Sequence, residues 1–418
     1  MKRTSSPDNR TRIQRRKFLA GTAAAGATAV AAAVPLRLAH AQGQKLKIGV
    51  LYPRSGPQAQ IGIDCVRGVE CAPEVLKAKG YADFELVIGD TETKPEVSRA
   101  QAEKLIDQGV HILTGCFDSG QTMAAAQVCE QKGIPFAVAI AAVPALTEQG
   151  YKTVFRNFPT GPMIATDSFN LQKELFKTTG KTPQSVVMLH ANDTFGTTQR
   201  DANVNLAPKF QMPYKIVETI SYDPTARDLS AEVRKAKATD AQMVWVISRL
   251  NDAILLCQEM VKQRWEPMGI LSSGPGWYEV QFMKALGKYG DDVVSTVPWH
   301  DPRKPLAKAL DAVFKKKHPD RELNTNHTYS FEGVLVAVDA HKRAGSTEPG
   351  KLIEALRKTD IKDNVVTGPG VHFNAKGQNP DVKMSAIQNR GGKNLVILPT
   401  EVAVAKPNWP MRPWNQRG

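Results

Sequence analysis

The residues with the most chemistry in them lie between Leu113 and Phe136, "LTGCFDSGQTMAAAQVCEQKGIPF". An apolar run stops, small polar residues follow, and an Ala-rich amphipathic stretch leads through Gly-Ile-Pro into a second apolar run. The pattern predicts strand, tight turn, helix and strand, with Ser119 near the first helical turn. Such a turn aims unpaired backbone N–H groups and the positive end of a helix dipole at one point beyond the sheet edge. A carboxylate is the natural occupant, with Ser119 Oγ and the N–H groups of Ser119, Gly120, Gln121 and Thr122 as donors. The plainer alternative is that Ser119 only caps its helix. One hydroxyl can serve both ends.

Catalysis has no comparable support. The chain carries no G-x-S-x-G elbow, no G-x-x-x-x-G-K-[ST] loop, no H-E-x-x-H and no G-x-G-x-x-G after a strand. Its eight histidines never reach metal-ligand spacing, so neither metal nor cofactor is expected. Asp118 beside Ser119 could form half of a nucleophilic pair, but the sequence places no base. The expectation is a binding protein and not an enzyme.

The elements that must position Ser119 repeat along the chain. From Lys45 onward, "LKIGVLY", "FELVIGD", "VHILTG" and "IPFAVAIA" alternate with helix-length segments. Beyond Pro162 the pattern restarts with "SVVMLH", "YKIVETI", "QMVWVIS", "MGILSS" and "DVVSTV". Apolar runs without alternation fit strands buried on both faces, so the fold class is α/β, with parallel sheets in two successive sets. Pro- and Gly-rich seams at Phe155–Met163, Ser295–Pro305 and Val365–Pro380 predict three crossings between two lobes. Residues 45–158 plus 300–366 are then an N-terminal lobe, 162–296 plus 372–405 a C-terminal lobe, and 406–418 an irregular tail.

The net charge of +14 over 418 residues suggests nucleic acid at first sight. Half of that excess sits in residues 1–41, where eight Lys/Arg face one acid, Asp8. The remainder has no arginine stripe and no aromatic–basic interleaving, and Lys315–Lys317 reads as a solvated helix face, so nucleic acid is not an expected partner. The N-terminus itself has Arg15-Arg16, then Phe18-Leu19, an Ala/Gly run to Val34, and Ala39-His40-Ala41. This resembles a twin-arginine export signal cleaved near Ala41, giving a periplasmic mature chain. The alternative, a membrane anchor, is disfavoured because the apolar run of about 15 residues is short for a bilayer. The five cysteines are odd in number and lack C-x-x-C spacing, and read as small buried hydrophobes.

Taken in order, the export signal, "PRSGPQAQIG", "SGQTMAAAQVCEQKGIP", "AAVPALT", "FRNFP", "NDTFG" and "GPGVHFNAKGQ" resemble the branched-chain amino-acid-type (Leu/Ile/Val-binding-like) solute-binding proteins of ABC importers, which are type I periplasmic binding proteins. The resemblance runs from about Lys45 to Pro399. It implies two Rossmann-like lobes joined by three hinge crossovers and a small carboxylate enclosed by hinge closure. It also implies a membrane permease as partner, a monomer, and no chemical conversion. The implied site is Ser119 with Gly120, Gln121 and Thr122, then Ile61, Ala141, Ala142, Phe195, Arg249, Ser273 and Trp277.

Several of these positions depart from the family pattern. Amino-acid-binding members hold the α-ammonium with an acid on the second lobe and a threonine hydroxyl on the first; here Ser273 and Ala142 stand at those places. Phe195 replaces a familiar tyrosine, and Arg249 or Leu250 stands where an aromatic is common. A buried ammonium without these partners would cost several kcal/mol. The expected ligand is therefore a non-amino organic acid, aromatic or branched, lying against Phe195, Trp277 and either Trp245 or Tyr52. Arg249 is either a second, bidentate anion clamp or half of a hinge-face ion pair. Asp193 or Glu279 swinging into the ammonium position would restore an amino acid. An amide- or urea-binding member, or a ligand-sensing receptor domain on the same fold, is the alternative.

Overall fold

The computed structural model describes residues 45–417; the export signal read over residues 1–41 lies outside the described residues. The first apolar runs become β1 (Leu46–Tyr52), β2 (Phe84–Asp90), β3 (Ile112–Gly115), β4 (Phe136–Val138) and β5 (Val154–Arg156). They form one sheet in the order β2-β1-β3-β4-β5, parallel throughout. The intervening helices are α1 (Ala59–Ala78), α2 (Pro95–Asp107), α3 (Ser119–Lys132) and the short α4 (Ala145–Glu148). The side chains of Ile48, Val50, Leu51 and Ile112 are wholly buried, as strands covered by helices on both faces require.

The second set opens with α5 (Gly161–Thr179), β6 (Ser185–Ala191), α6 (Thr194–Leu206), β7 (Lys215–Tyr222) and α7 (Ser230–Lys237). It continues with β8 (Met243–Ile247), α8 (Leu250–Lys262), β9 (Gly269–Ser272), α9 (Val280–Leu286) and β10 (Val294–Pro298). The chain then returns to the first sheet's helical layer as α10 (Pro305–Lys317), α11 (Thr325–Ala344) and α12 (Pro349–Arg357), with α10 and α11 packed on α1. A small ribbon, β11 (Asp360–Ile361) with β12 (Val371–His372), comes next. Finally β13 (Met384–Arg390) and β14 (Lys393–Leu398) close the second sheet antiparallel, in the order β14-β13-β10-β9-β8-β6-β7.

The crossing segments are bonded to one another. Arg156 N donates to Gly377 O at 2.7 Å and Asn379 N to Arg156 O at 3.0 Å; Asp301 N donates to Val365 O at 3.0 Å and Thr367 N to Trp299 O at 2.9 Å. Glu332 of α11 ties two of them, one carboxylate oxygen accepting from Val365 N and Val366 N and the other from the Asn157 amide. Arg156 is fully buried here without an acid in contact. Its guanidinium donates to Gln378 Oε1, to the Ala141 and Val143 carbonyls and to the Thr147 hydroxyl, and burial pulls it down to about 9. The crossings are thus packed and bonded together, unlike a slack linker.

The segment after residue 405 has little regular structure beyond one 3-10 turn at Trp414–Gln416, yet it is packed: Trp409, Met411 and Trp414 are buried. The Trp409 ring fills the space left by Gly269, where a Cβ would stand 2.0 Å from ring carbon Cζ3. Arg412 pairs with buried Asp292 at 2.7 Å. No helix among the described residues is long and apolar enough to cross a membrane.

Candidate functional site

The carboxyl ends of the strands in both sheets converge on one chamber with a cavity volume of about 50 Å³. The first sheet contributes Phe117, Asp118 and Ser119 from the β3–α3 turn and Ile140, Ala141 and Ala142 from the segment after β4. Phe158 enters from the first crossing. From the second set come Ile164 of α5, Phe195 of α6, Arg249 of the β8–α8 turn, Ser273–Pro275 after β9, and Val297 and Pro298 at the end of β10. Open α/β sheets place ligands at this end, where the helices begin.

The turn at Ser119 is built by its neighbours. Asp118 is the N-cap of α3: its Oδ1 accepts from Gly120 N at 2.8 Å and its carbonyl accepts from Thr122 N at 2.9 Å. Gly133, at φ 67°, ends the helix in the left-handed conformation that glycine adopts without strain. The anion-hole reading therefore changes. Two of the amides expected to meet a ligand, those of Gly120 and Thr122, are already used by Asp118. The Thr122 hydroxyl also donates to the Asp118 carbonyl, and the Gln121 side-chain amide, as distinct from its backbone N–H, is held by Thr91 and Gln58. Ser119 remains. It is 1% exposed, lines the chamber, and its Oγ has no hydrogen-bond partner. A buried hydroxyl left unpaired costs on the order of 1–3 kcal/mol, which a bound acceptor would relieve.

Arg249 takes the second of its two sequence readings, the ion pair. Its Nη1 donates to Asp193 Oδ2 and its Nη2 to Asp118 Oδ2. The guanidinium also lies 5.1 Å from the centre of the Phe195 ring. Burial opposes its charge, but the two acids outweigh that and hold Arg249 above the ordinary arginine range. Its backbone is fixed as well, since Asp252 Oδ1 accepts from Arg249 N at 2.8 Å. Asp252, almost wholly buried and bonded by the Tyr222 hydroxyl, is pushed up to about 6 by burial, against the pull of Arg249.

Neither acid considered for an ammonium is free. Asp193 spends Oδ1 on Gly196 N at 2.8 Å and Oδ2 on Arg249. Glu279 is absent from the chamber wall; it is buried and accepts from Asn324 Nδ2 at 3.1 Å and Asn326 Nδ2 at 2.6 Å. Burial, reinforced by Asp64, pushes Glu279 well above the carboxylate range.

Of the other expected residues, Ala141, Ala142, Phe195 and Ser273 line the chamber together with Ser119 and Arg249. Ser273 Oγ accepts from Trp245 Nε1 at 2.7 Å, so Trp245 supports the wall from inside the lobe core. Gly120, Gln121 and Thr122 do not line it, and nor do Trp277 and Ile61. Trp277 is wholly buried, donates Nε1 to Ser248 Oγ at 2.6 Å and packs on Phe282, because the turn after β9 carries it inward. Ile61 lies buried in α1, in the core of the first lobe. Tyr52, offered as a possible wall, is buried in the same core. Nine further wall residues were missed, among them Phe117, Asp118, Ile140, Phe158, Ile164 and Val297. Asp118 carried a usable signal, an N-cap acid directly before the candidate serine. All five cysteines are free and buried, and no cluster able to hold a metal exists among the described residues.

Comparison with known proteins gives the fold and site a context. The sequence profile of the periplasmic binding protein family matches residues 45–393. Leu/Ile/Val-binding protein homolog 8 of Brucella abortus (strain 2308) is 26% identical over 374 residues, covering 86% of this chain and 92% of the relative. The crystal structure of a leucine binding protein, LivK, from Thermotoga maritima MSB8 superposes with a TM-score of 0.74 at 20% identity, covering 85% of this chain and 99% of that one. A solute binding protein of an ABC transporter from Rhodopseudomonas palustris BisB5, in complex with 3,4-dihydroxybenzoic acid, superposes with a TM-score of 0.69 at 17% identity, covering 84% and 95%.

Proposed function

The chain belongs to the periplasmic binding protein family, and from that premise we propose that it captures a small organic carboxylate lacking an ammonium group, for a permease of the branched-chain amino-acid importer type. Residues 45–158 plus 300–366 and 162–296 plus 372–405 move as the two lobes of a periplasmic monomer, freed of residues 1–41. The observation that carries the choice of ligand is Ser119, a buried hydroxyl without a partner in a wall otherwise mostly apolar. A carboxylate there accepts from Ser119 Oγ, at the positive end of α3. Phe158, Ile140 and Phe195 surround its body. Arg249 offsets the charge of Asp118, so the incoming anion does not meet a bare carboxylate.

An ammonium would fare worse. Asp118 and Asp193 have both oxygens engaged, Glu279 faces Asn324 and Asn326, and position 142 is alanine. Leucine, for which one structural neighbour is named, and 3,4-dihydroxybenzoic acid, held by another, share a carboxylate and differ in the ammonium. Closure comes from contact: a solute touching both lobes shifts the population towards the closed form, whose shape the permease reads. A second reading, a neutral amide or urea, is favoured by the Asp118 carboxylate already seated on Gly120 N.

A thermal-shift panel tests these readings. A solute at 100 times its dissociation constant adds about 2.7 kcal/mol to stability. Aromatic and branched acids are expected to stabilise, and leucine and valine to do little. Stabilisation by leucine or valine without their deaminated counterparts overturns the exclusion of an ammonium, and stabilisation by amides alone replaces the carboxylate with the second reading.

A further inference from the structure

Two hollows lie end to end along the cleft. The inner one is the ligand chamber; the outer one is a vestibule bordered by Gln58, Lys94, Asp193, Thr194, Thr225 and Asn251. Asp118 and Arg249 are the two residues that line both. Their ion pair is therefore the partition between chamber and vestibule, and it is formed across the cleft, from the β3–α3 turn to the β8–α8 turn. Each partner is held in place on its own side. Asp118 receives Gly120 N and Gln58 Nε2. Arg249 is braced by Asp193, by the Phe195 ring and by Asp252. A further cross-cleft bond, Asn251 Nδ2 to Pro57 O at 3.0 Å, stands on the vestibule side.

We propose that the Arg249–Asp118 pair sets the maximum length of the solute, acting as a wall that latches shut across the chamber mouth. This rests on the chamber being the solute site. A solute that fits behind the wall leaves the latch intact, and one that reaches past it must break a buried ion pair to bind. Arg249 is thus a specificity residue that acts by exclusion.

The test uses the folded chain with two matched probe series, straight-chain carboxylic acids and the corresponding primary amides, each from four to ten carbons. Affinities are compared between the parent and the paired variant Asp118→Ala/Arg249→Ala, which removes the wall and leaves Asp193 as the one acid without its counter-charge. The polar, uncharged pair Asp118→Asn/Arg249→Gln is a second variant should the first fold poorly. The parent is expected to show a chain-length cut-off, and the variant to gain about fourfold in affinity for each further methylene that finds room. An identical cut-off in parent and both variants overturns the proposal. If amides bind and acids do not, the carboxylate reading fails while the cut-off still decides the wall. If neither series binds, small-angle scattering of the solute-free proteins decides it: a larger radius of gyration in the variants upholds the latch, and an unchanged one removes it.

Discussion

Two helix starts face one another across the cleft, Asp118-Ser119-Gly120 on one side and Asp193-Thr194-Phe195-Gly196 on the other. Locally they are near copies. Each begins with an aspartate whose Oδ1 accepts a glycine amide at 2.8 Å and whose carbonyl accepts the amide four residues on at 2.9 Å. Each gives its Oδ2 to the same arginine, Arg249. They differ at the residue next to the cap. Ser119 is buried against the chamber with an unpaired hydroxyl, whereas Thr194 is exposed at the vestibule. A capping motif by itself makes a helix start. Burial of the next side chain leaves one of the two with an unpaired hydroxyl facing the chamber.

The strongest way to break this comparison is to remove what the two starts share. Arg249→Ala leaves Asp118 and Asp193 without their counter-charge, and a loss of about 3–5 kcal/mol in unfolding free energy is expected by urea titration. The next largest effect concerns the brace beneath Arg249. Asp252 is pushed up to about 6 from an ordinary 3.8, so folding favours its protonated form. Its stabilising contribution is complete below pH 4 and is lost as pH rises through 6. The difference between the parent and Asp252→Asn should change by up to about 3 kcal/mol across that window, as read from stability against pH. A flat difference would show that Asp252 ionises freely.

Smaller substitutions sharpen the contrast between the two starts. Ser119→Ala is expected to weaken solute binding by about 1–3 kcal/mol in calorimetry while leaving stability unchanged or slightly raised, since it deletes an unpaired buried hydroxyl. Thr194→Ala should change either quantity by less than about 0.5 kcal/mol. Equal losses of binding at both positions would make the two starts alike after all.

The strands and helices were legible because non-alternating apolar runs and helix stops such as Gly133 are local signals. The three seams were legible for the same reason, through their prolines and glycines. The site was legible only in part. Ser119, Ala142 and Phe195 come just after strand ends and could be placed by that rule. The Arg249–Asp118 pair joins residues 131 apart, and nothing near either one names the other. Trp277 also comes after a strand end, but whether it faces the chamber or the core depends on the rotation of the turn after β9. Ser248, its actual partner, sits on a neighbouring strand–helix turn. Asp118 shows a further limit: a side chain that completes its own helix cap removes donors that a spacing argument counts as available.

The closing segment of the chain bears on how the protein can be handled. Trp409 seals the notch at Gly269, in the same strand, β9, whose far end delivers Ser273 to the chamber wall. An affinity handle spliced on in place of residues 406–418 would unplug that notch and slacken the strand behind the wall. The same handle added beyond Gly418 would leave the plug seated. A purification scheme that ignores the difference would disturb the chamber wall while leaving every residue that lines it in the sequence.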